Sequence, residues 1–155
     1  MGLTLQFAIG KKEQIIEAVR SFDEDFLDLQ EQEGKTADFS LHILPQDLDT
    51  LVLLASIRYG SQTINLRENL DTTQYFFDAE DTGAYYVQPI VSQVFAAIES
   101  EGATELVTQW FASMSATYQE KITPTFEATA AVQKLLVLAK AARDEALDLV
   151  HFWWL

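Results

Sequence analysis

The period of the apolar residues changes once near the N-terminus, and that change dictates how the chain must begin to fold. Leu3, Leu5, Phe7 and Ile9 alternate with Thr4, Gln6 and Ala8, the two-residue period of a strand, and Gly10 closes the run. From Lys11 onward Ile15, Val19, Phe22, Phe26 and Leu29 recur every three or four residues, the spacing of one helical face. A strand that feeds directly into an amphipathic helix predicts a sheet covered by helices, an α+β fold.

The rest of the chain extends that reading. Residues 31–38, with Gly34, form a loop, after which Phe39, Leu41 and Ile43 alternate with Ser40, His42 and Leu44 and predict a strand at 39–44. Pro45 suits the first turn of a helix, and Asp47 and Asp49 place negative charge near its positive end. Leu48, Leu51, Val52 and Ala55 then predict a mostly buried helix to about Arg58. A β-hairpin turning at Gly60-Ser61 is the rival reading of this stretch.

Three more apolar stripes predict helices. One runs from Val87 through Ile98 with Pro89 near its start, one from Leu106 to Tyr118, and one from a Thr123-Pro124 opening to Ala142. Residues 147–155 are rich in Val, Phe and Trp, which favour a strand beside 3–9, although helical spacing also continues through Leu149 and Val150. On a strand the adjacent Trp153 and Trp154 must face opposite sides of the sheet. The expected fold is therefore a small mixed or antiparallel sheet against four to five helices.

Composition decides whether such a fold has a core. Of 155 residues 48% are apolar, including 10 Phe, 5 Tyr and 3 Trp, and a chain of this length buries roughly 68–70% of its unfolded surface. One domain, 1–155, is expected, since no repeat or Gly/Ser-rich linker divides it. Against this apolar content stand 24 acidic and 10 basic residues, a formal charge of −14. Residues 1–105 carry −13 of it and residues 106–155 only −1. An acidic front is thus joined to a near-neutral, apolar remainder, whose helices after Leu106 are a candidate homodimer surface.

Much chemistry is excluded or unsupported. No cysteine is present, so disulfides, thiolate metal sites and thiol nucleophiles are closed, and a reducing, cytoplasmic setting is expected. The first charges, Lys11 and Lys12, follow the short apolar N-terminal stretch instead of preceding it as in a signal peptide. The longest apolar run, 51–55, is far below a membrane span of about 20 residues. The six glycines are scattered singly, so neither a dinucleotide fingerprint nor a P-loop can be written, and Gly60-Ser61 lacks the surroundings of a nucleophile elbow. Direct nucleic-acid binding is disfavoured because the basic residues are dispersed. No cofactor or metal is expected.

The remaining candidates are surfaces. Asp23, Asp25 and Asp28 lie in the densest acidic run, which extends to Glu33. The segment Asp78-Ala79-Glu80-Asp81-Thr82-Gly83 begins like a calcium loop but has Pro89 where the bidentate glutamate belongs, so it reads as a solvated loop. Tyr85 and Tyr86 add large amphipathic contacts beside it. Together these residues predict a non-catalytic interaction module for a basic protein partner, in the physical manner of an inhibitor or immunity protein. The alternative expectation is a small-ligand binder or enzyme with an aromatic pocket at Trp110 and a carboxylate paired with His42 or His151.

Overall fold

The computed structural model describes residues 2–155. The alternating N-terminal run forms β1 (Thr4–Gly10), and Gly10 turns the chain at a positive φ of 155° where a Cβ would press on Ile15. The helical run that follows is two helices, α1 (Lys12–Ser21) and α2 (Glu24–Gln32). Phe22 breaks it by adopting a left-handed φ of 53°, with the Asp23 N–H donating back to the Ala18 carbonyl at 2.8 Å. The Asp23 carboxylate then accepts the Phe26 N–H at 3.1 Å and starts α2. Replacing Asp23 with alanine should cost about 1 kcal/mol, read as a lower urea midpoint with unchanged slope; an unchanged midpoint would show that the cap contributes nothing.

The second strand, β2 (Thr36–Asp38), lies three residues before the span expected at 39–44. Ala37 and Phe39 both point into the core, and the Phe39 N–H still pairs with the Leu5 carbonyl. Beyond it local side-chain bonds displace the ladder: Asp38 accepts the Ser40 N–H, and the Ser40 hydroxyl accepts the Leu5 N–H in place of a strand carbonyl. His42, left-handed at φ 59°, completes the exit. Helix α3 (Pro45–Tyr59) follows, with Pro45 at its first position and Asp47 reaching back to the Leu44 N–H, so the hairpin reading of 51–66 is set aside.

A hairpin does form where a solvated loop was expected. β3 (Phe76–Asp78) and β4 (Thr82–Tyr86) pair antiparallel across the turn 79–81. Next come α4 (Pro89–Ala96), α5 (Gly102–Tyr118) and α6 (Phe126–Glu145). The cap of α6 is Thr125, which accepts the Ala128 N–H, and not Thr123, because the helix begins two residues later than the Thr-Pro pair suggested. Seven of the last nine residues form a strand, β5 (Asp148–Trp154).

All pairings are antiparallel, in the order β2-β1-β5-β4-β3. The two ends of the chain therefore lie side by side at the centre, with Phe7 opposite His151. Six α-helices cover the sheet, one beyond the expected five because the first is broken at Phe22. α1 packs on one face, followed by α2; α6 crosses the other face, with α4 and α5 on α6 and α3 outside them.

Each face has its own core. Leu5, Phe7, Ile9 and Leu149 join the larger one against α3–α6, while Ala8, Val150 and Phe152 join the smaller one under α1. Trp153 packs against the first and Trp154 against the second, each half-buried. Gly83 is required here: a Cβ would stand 2.5 Å from the Trp153 indole nitrogen. Among the described residues no helix is long and apolar enough to cross a membrane.

Candidate functional site

Two places on this scaffold have the character of sites. The first is the acidic surface formed by α2 and the tip of the β3–β4 hairpin. The ring of Phe22, between α1 and α2, stands edge-on to Trp154 at 6.2 Å, and the Leu155 N–H donates to the Asp81 carbonyl at 2.9 Å. The start of α2, the C-terminus and the hairpin tip therefore share one end of the sheet. Asp23, Glu24, Asp25, Asp28 and Glu31 are exposed along α2, as are Asp78, Glu80 and Asp81 on the hairpin.

None of those eight carboxylates has a salt-bridge partner among the described residues; the neighbouring ion pairs are Arg20 with Glu17 and Lys35 with Glu33. Helix α2 has no fully buried residue and is held by Phe26 and Leu27. It leaves Leu29 52% exposed, and Phe22 before it 57% exposed. Large apolar side chains set among unpaired charges are what a docking surface needs for both attraction and contact area.

The two tyrosines of this region do structural work. Tyr85 is half-buried beneath Trp153, and burial first, then its hydrogen bond to Asp78, raises its hydroxyl above the ordinary tyrosine value. Tyr86 stands edge-on to Tyr75 at 6.3 Å, and the Lys12 ammonium lies over both rings, 4.4 Å from Tyr75 and 5.1 Å from Tyr86. Lys12 also meets Asp148 at 3.7 Å, and its backbone N–H is accepted by the same carboxylate at 3.0 Å. Burial alone would lower this ammonium, but Asp148 and Glu13 outweigh it and hold its pKa above the ordinary value. These contacts fasten the N-terminus of α1 to β4 and β5. The carboxylate of Asp71, which opens this aromatic stretch, is likewise turned inward onto the N–H groups of Thr73, Gln74 and Tyr75.

The second place is a cavity of about 590 Å³ between the β2–α3 connection, the C-terminal half of α5 and the loop leading to α6. Leu41, His42 and Leu44 form one wall, Phe111, Met114 and Tyr118 the opposite one, and Ile122 and Thr125 the floor towards α6. Asp47 is its most buried polar lining residue, only 5% exposed. Its carboxylate accepts the Leu44 N–H at 2.8 Å and the Tyr118 hydroxyl at 2.7 Å, and its backbone carbonyl accepts the Trp110 indole N–H at 2.8 Å. The bond to Asp47, reinforced by burial, raises the Tyr118 hydroxyl above its ordinary value.

Of the aromatic-pocket residues expected from the sequence, only His42 lines this cavity. Trp110 lies fully buried behind it, against Phe111 and Phe39. His151 is on β5, its ring 4.7 Å from Phe7 and its Nδ1 donating to the Gln6 carbonyl at 2.9 Å. Burial lowers its pKa to about 4, so at neutral pH it is an uncharged core residue. Among the described residues neither histidine forms an ion pair and no group of three or more His, Asp or Glu is gathered as metal ligands would be. The sequence reading missed Asp47 and Tyr118 as partners, since they are 71 residues apart and Asp47 reads locally as an ordinary first-turn acid.

The stripes of α5 and α6 face the core, leaving Phe126 and Val137 as the large apolar residues exposed on α6. No protein-family model, no curated protein and no solved structure matches this chain.

Proposed function

We propose that the protein is a non-catalytic binding module that docks a basic protein through α2 and the β3–β4 hairpin tip. The observation that carries this reading is the set of eight exposed, unpaired carboxylates around the exposed Phe22 and Leu29. A folded protein gains nothing in stability from lining a helix and the hairpin tip beside its start with like charges; a positively charged partner turns that repulsion into attraction and accelerates encounter. Phe22 and Leu29 supply the apolar contact that charge alone lacks. A homodimer through the C-terminal helices would instead use Phe126 and Val137, and light scattering after size exclusion distinguishes it by mass.

The test is a capture experiment with the full chain and its triple variant Asp25→Lys, Asp28→Lys, Glu31→Lys. Basic proteins retained by the native chain at low salt should bind the triple variant at least about tenfold more weakly, and should be released as the salt rises towards about 1 M, where the Debye length falls to about 3 Å. A control reversal at Glu99 and Glu101 should leave retention unchanged. Retention that survives high salt, or that the triple variant keeps, overturns the proposal, as does the failure to recover any basic partner.

A further inference from the structure

We propose that the cavity between the β2–α3 connection and α5 binds a small organic ammonium ion with an apolar body, and that Asp47 is its counter-ion. The site is separate from the docking surface and stands or falls independently of it.

The volume, about 590 Å³, is that of a small-molecule pocket. Its walls at Leu41, Ile43, Phe111 and Met114 suit an aromatic or aliphatic body. Two carboxylates line it, Asp47 and Glu120, with no lysine or arginine among the lining residues and His42 the one basic side chain there. An anion would meet repulsion there.

Asp47 makes the argument specific. A carboxylate this deeply buried is ordinarily matched by a cation, yet Asp47 has no ion-pair partner, and its two donors, the Leu44 N–H and the Tyr118 hydroxyl, are both neutral. Each oxygen accepts one bond, which leaves acceptor capacity on both. The positive end of α3 offsets part of the charge, but among the described residues no side chain forms an ion pair with it. An ammonium group against the Asp47 carboxylate would supply that missing charge, with the Tyr118 and Phe111 rings of the lining as cation–π surfaces. The apolar body would then lie along the Leu41–Met114 walls, towards the mouth beside exposed Leu44.

The probes are 2-phenylethylammonium, the neutral 2-phenylethanol and the anionic phenylacetate, titrated into the isotopically labelled full chain and followed by amide chemical shifts. The ammonium ion should perturb residues 41–47 and 111–125 and bind at least about tenfold more tightly than the alcohol, while the acetate leaves these residues unmoved. Asp47→Asn should bring the ammonium and the alcohol to equal affinity. Because that variant also alters a buried hydrogen-bond set, the exposed Glu120 serves as a second lever: Glu120→Lys should weaken the ammonium several-fold without loss of fold. Equal affinity for amine and alcohol in the native chain, shifts confined to other residues, or no shift up to about 10 mM would overturn the proposal.

Discussion

Replacement of Trp110 with alanine should destabilise the protein by about 3–5 kcal/mol, the range for removing a large aromatic side chain from a packed core. Trp110 is fully buried, packs edge-on to Phe111 at 5.4 Å and lies 6.2 Å from Phe39. Its indole N–H holds the Asp47 carbonyl at 2.8 Å, so the side chain joins α5 to the first turn of α3 as well as filling space. A loss of this size is a large part of the roughly 5–15 kcal/mol that keeps a domain folded, and should lower the melting temperature by about 10 °C. Trp110→Phe retains one ring and removes the donor, so its cost should be smaller. Urea titrations followed by far-ultraviolet circular dichroism measure both, since fluorescence itself changes with the substitution. A Trp110→Ala midpoint indistinguishable from the native one would mean that this residue does not join the two helices.

The second large effect is a loss of stability in acid through His151. Its folded pKa is about 4 against an ordinary 6.5, and the cause is complete burial, opposed by the bond to the Gln6 carbonyl. Between these values the unfolded chain binds the proton more readily than the folded one, so stability rises with pH across that window. It is fully present above about pH 6.5 and declines as the pH falls, levelling off below about 4. At 1.36 kcal/mol for each pH unit between the two values, protonation removes about 3 kcal/mol. The carboxylates also titrate here, and neutralising part of a −14 charge acts in the opposite direction by relieving repulsion. Comparison with His151→Phe, which can keep a ring on Phe7, cancels that background. The stability of the native chain relative to the variant should fall by about 3 kcal/mol between pH 7 and pH 4; a difference that stays flat would show that His151 is not held neutral by burial.

How far the fold can be read from the chain depends on whether the deciding interaction is local. β1, α3 and the long C-terminal helices are legible because period, proline and capping residues lie within the same short windows. The hairpin 76–86 is not, because Gly83 and Ala84 are consecutive buried small residues with no alternation to mark a strand. Gly83 makes sense only once Trp153 lies over it. The break at Phe22 is equally hidden: nothing in the residue favours a left-handed φ, and the bond from Asp23 back to Ala18 becomes apparent only in the folded chain.

The candidate surfaces divide in the same way. Asp23, Asp25, Asp28, Asp78, Glu80 and Asp81 announce themselves as an acidic excess, whereas the approach of the start of α2 to the hairpin tip depends on β5 inserting between β1 and β4. Tyr85 and Tyr86 look like contact residues in the sequence and are fastened into the sheet by Trp153 and Lys12. The cavity is the extreme case, with its walls drawn from residues 41–47 and 111–125.

By itself, then, the sequence determined that this is an α+β chain with an acidic front, an apolar C-terminal part and no thiol chemistry, because periodicity and charge are properties of neighbours along the chain. Only the tertiary structure decided that Trp153 and Trp154 each pack on a core, that His151 is a neutral core residue and that Asp47 is buried without an ion-pair partner. The first two follow from placing the last strand against the first and the third from packing α5 on the start of α3, so each environment is set by residues distant in sequence.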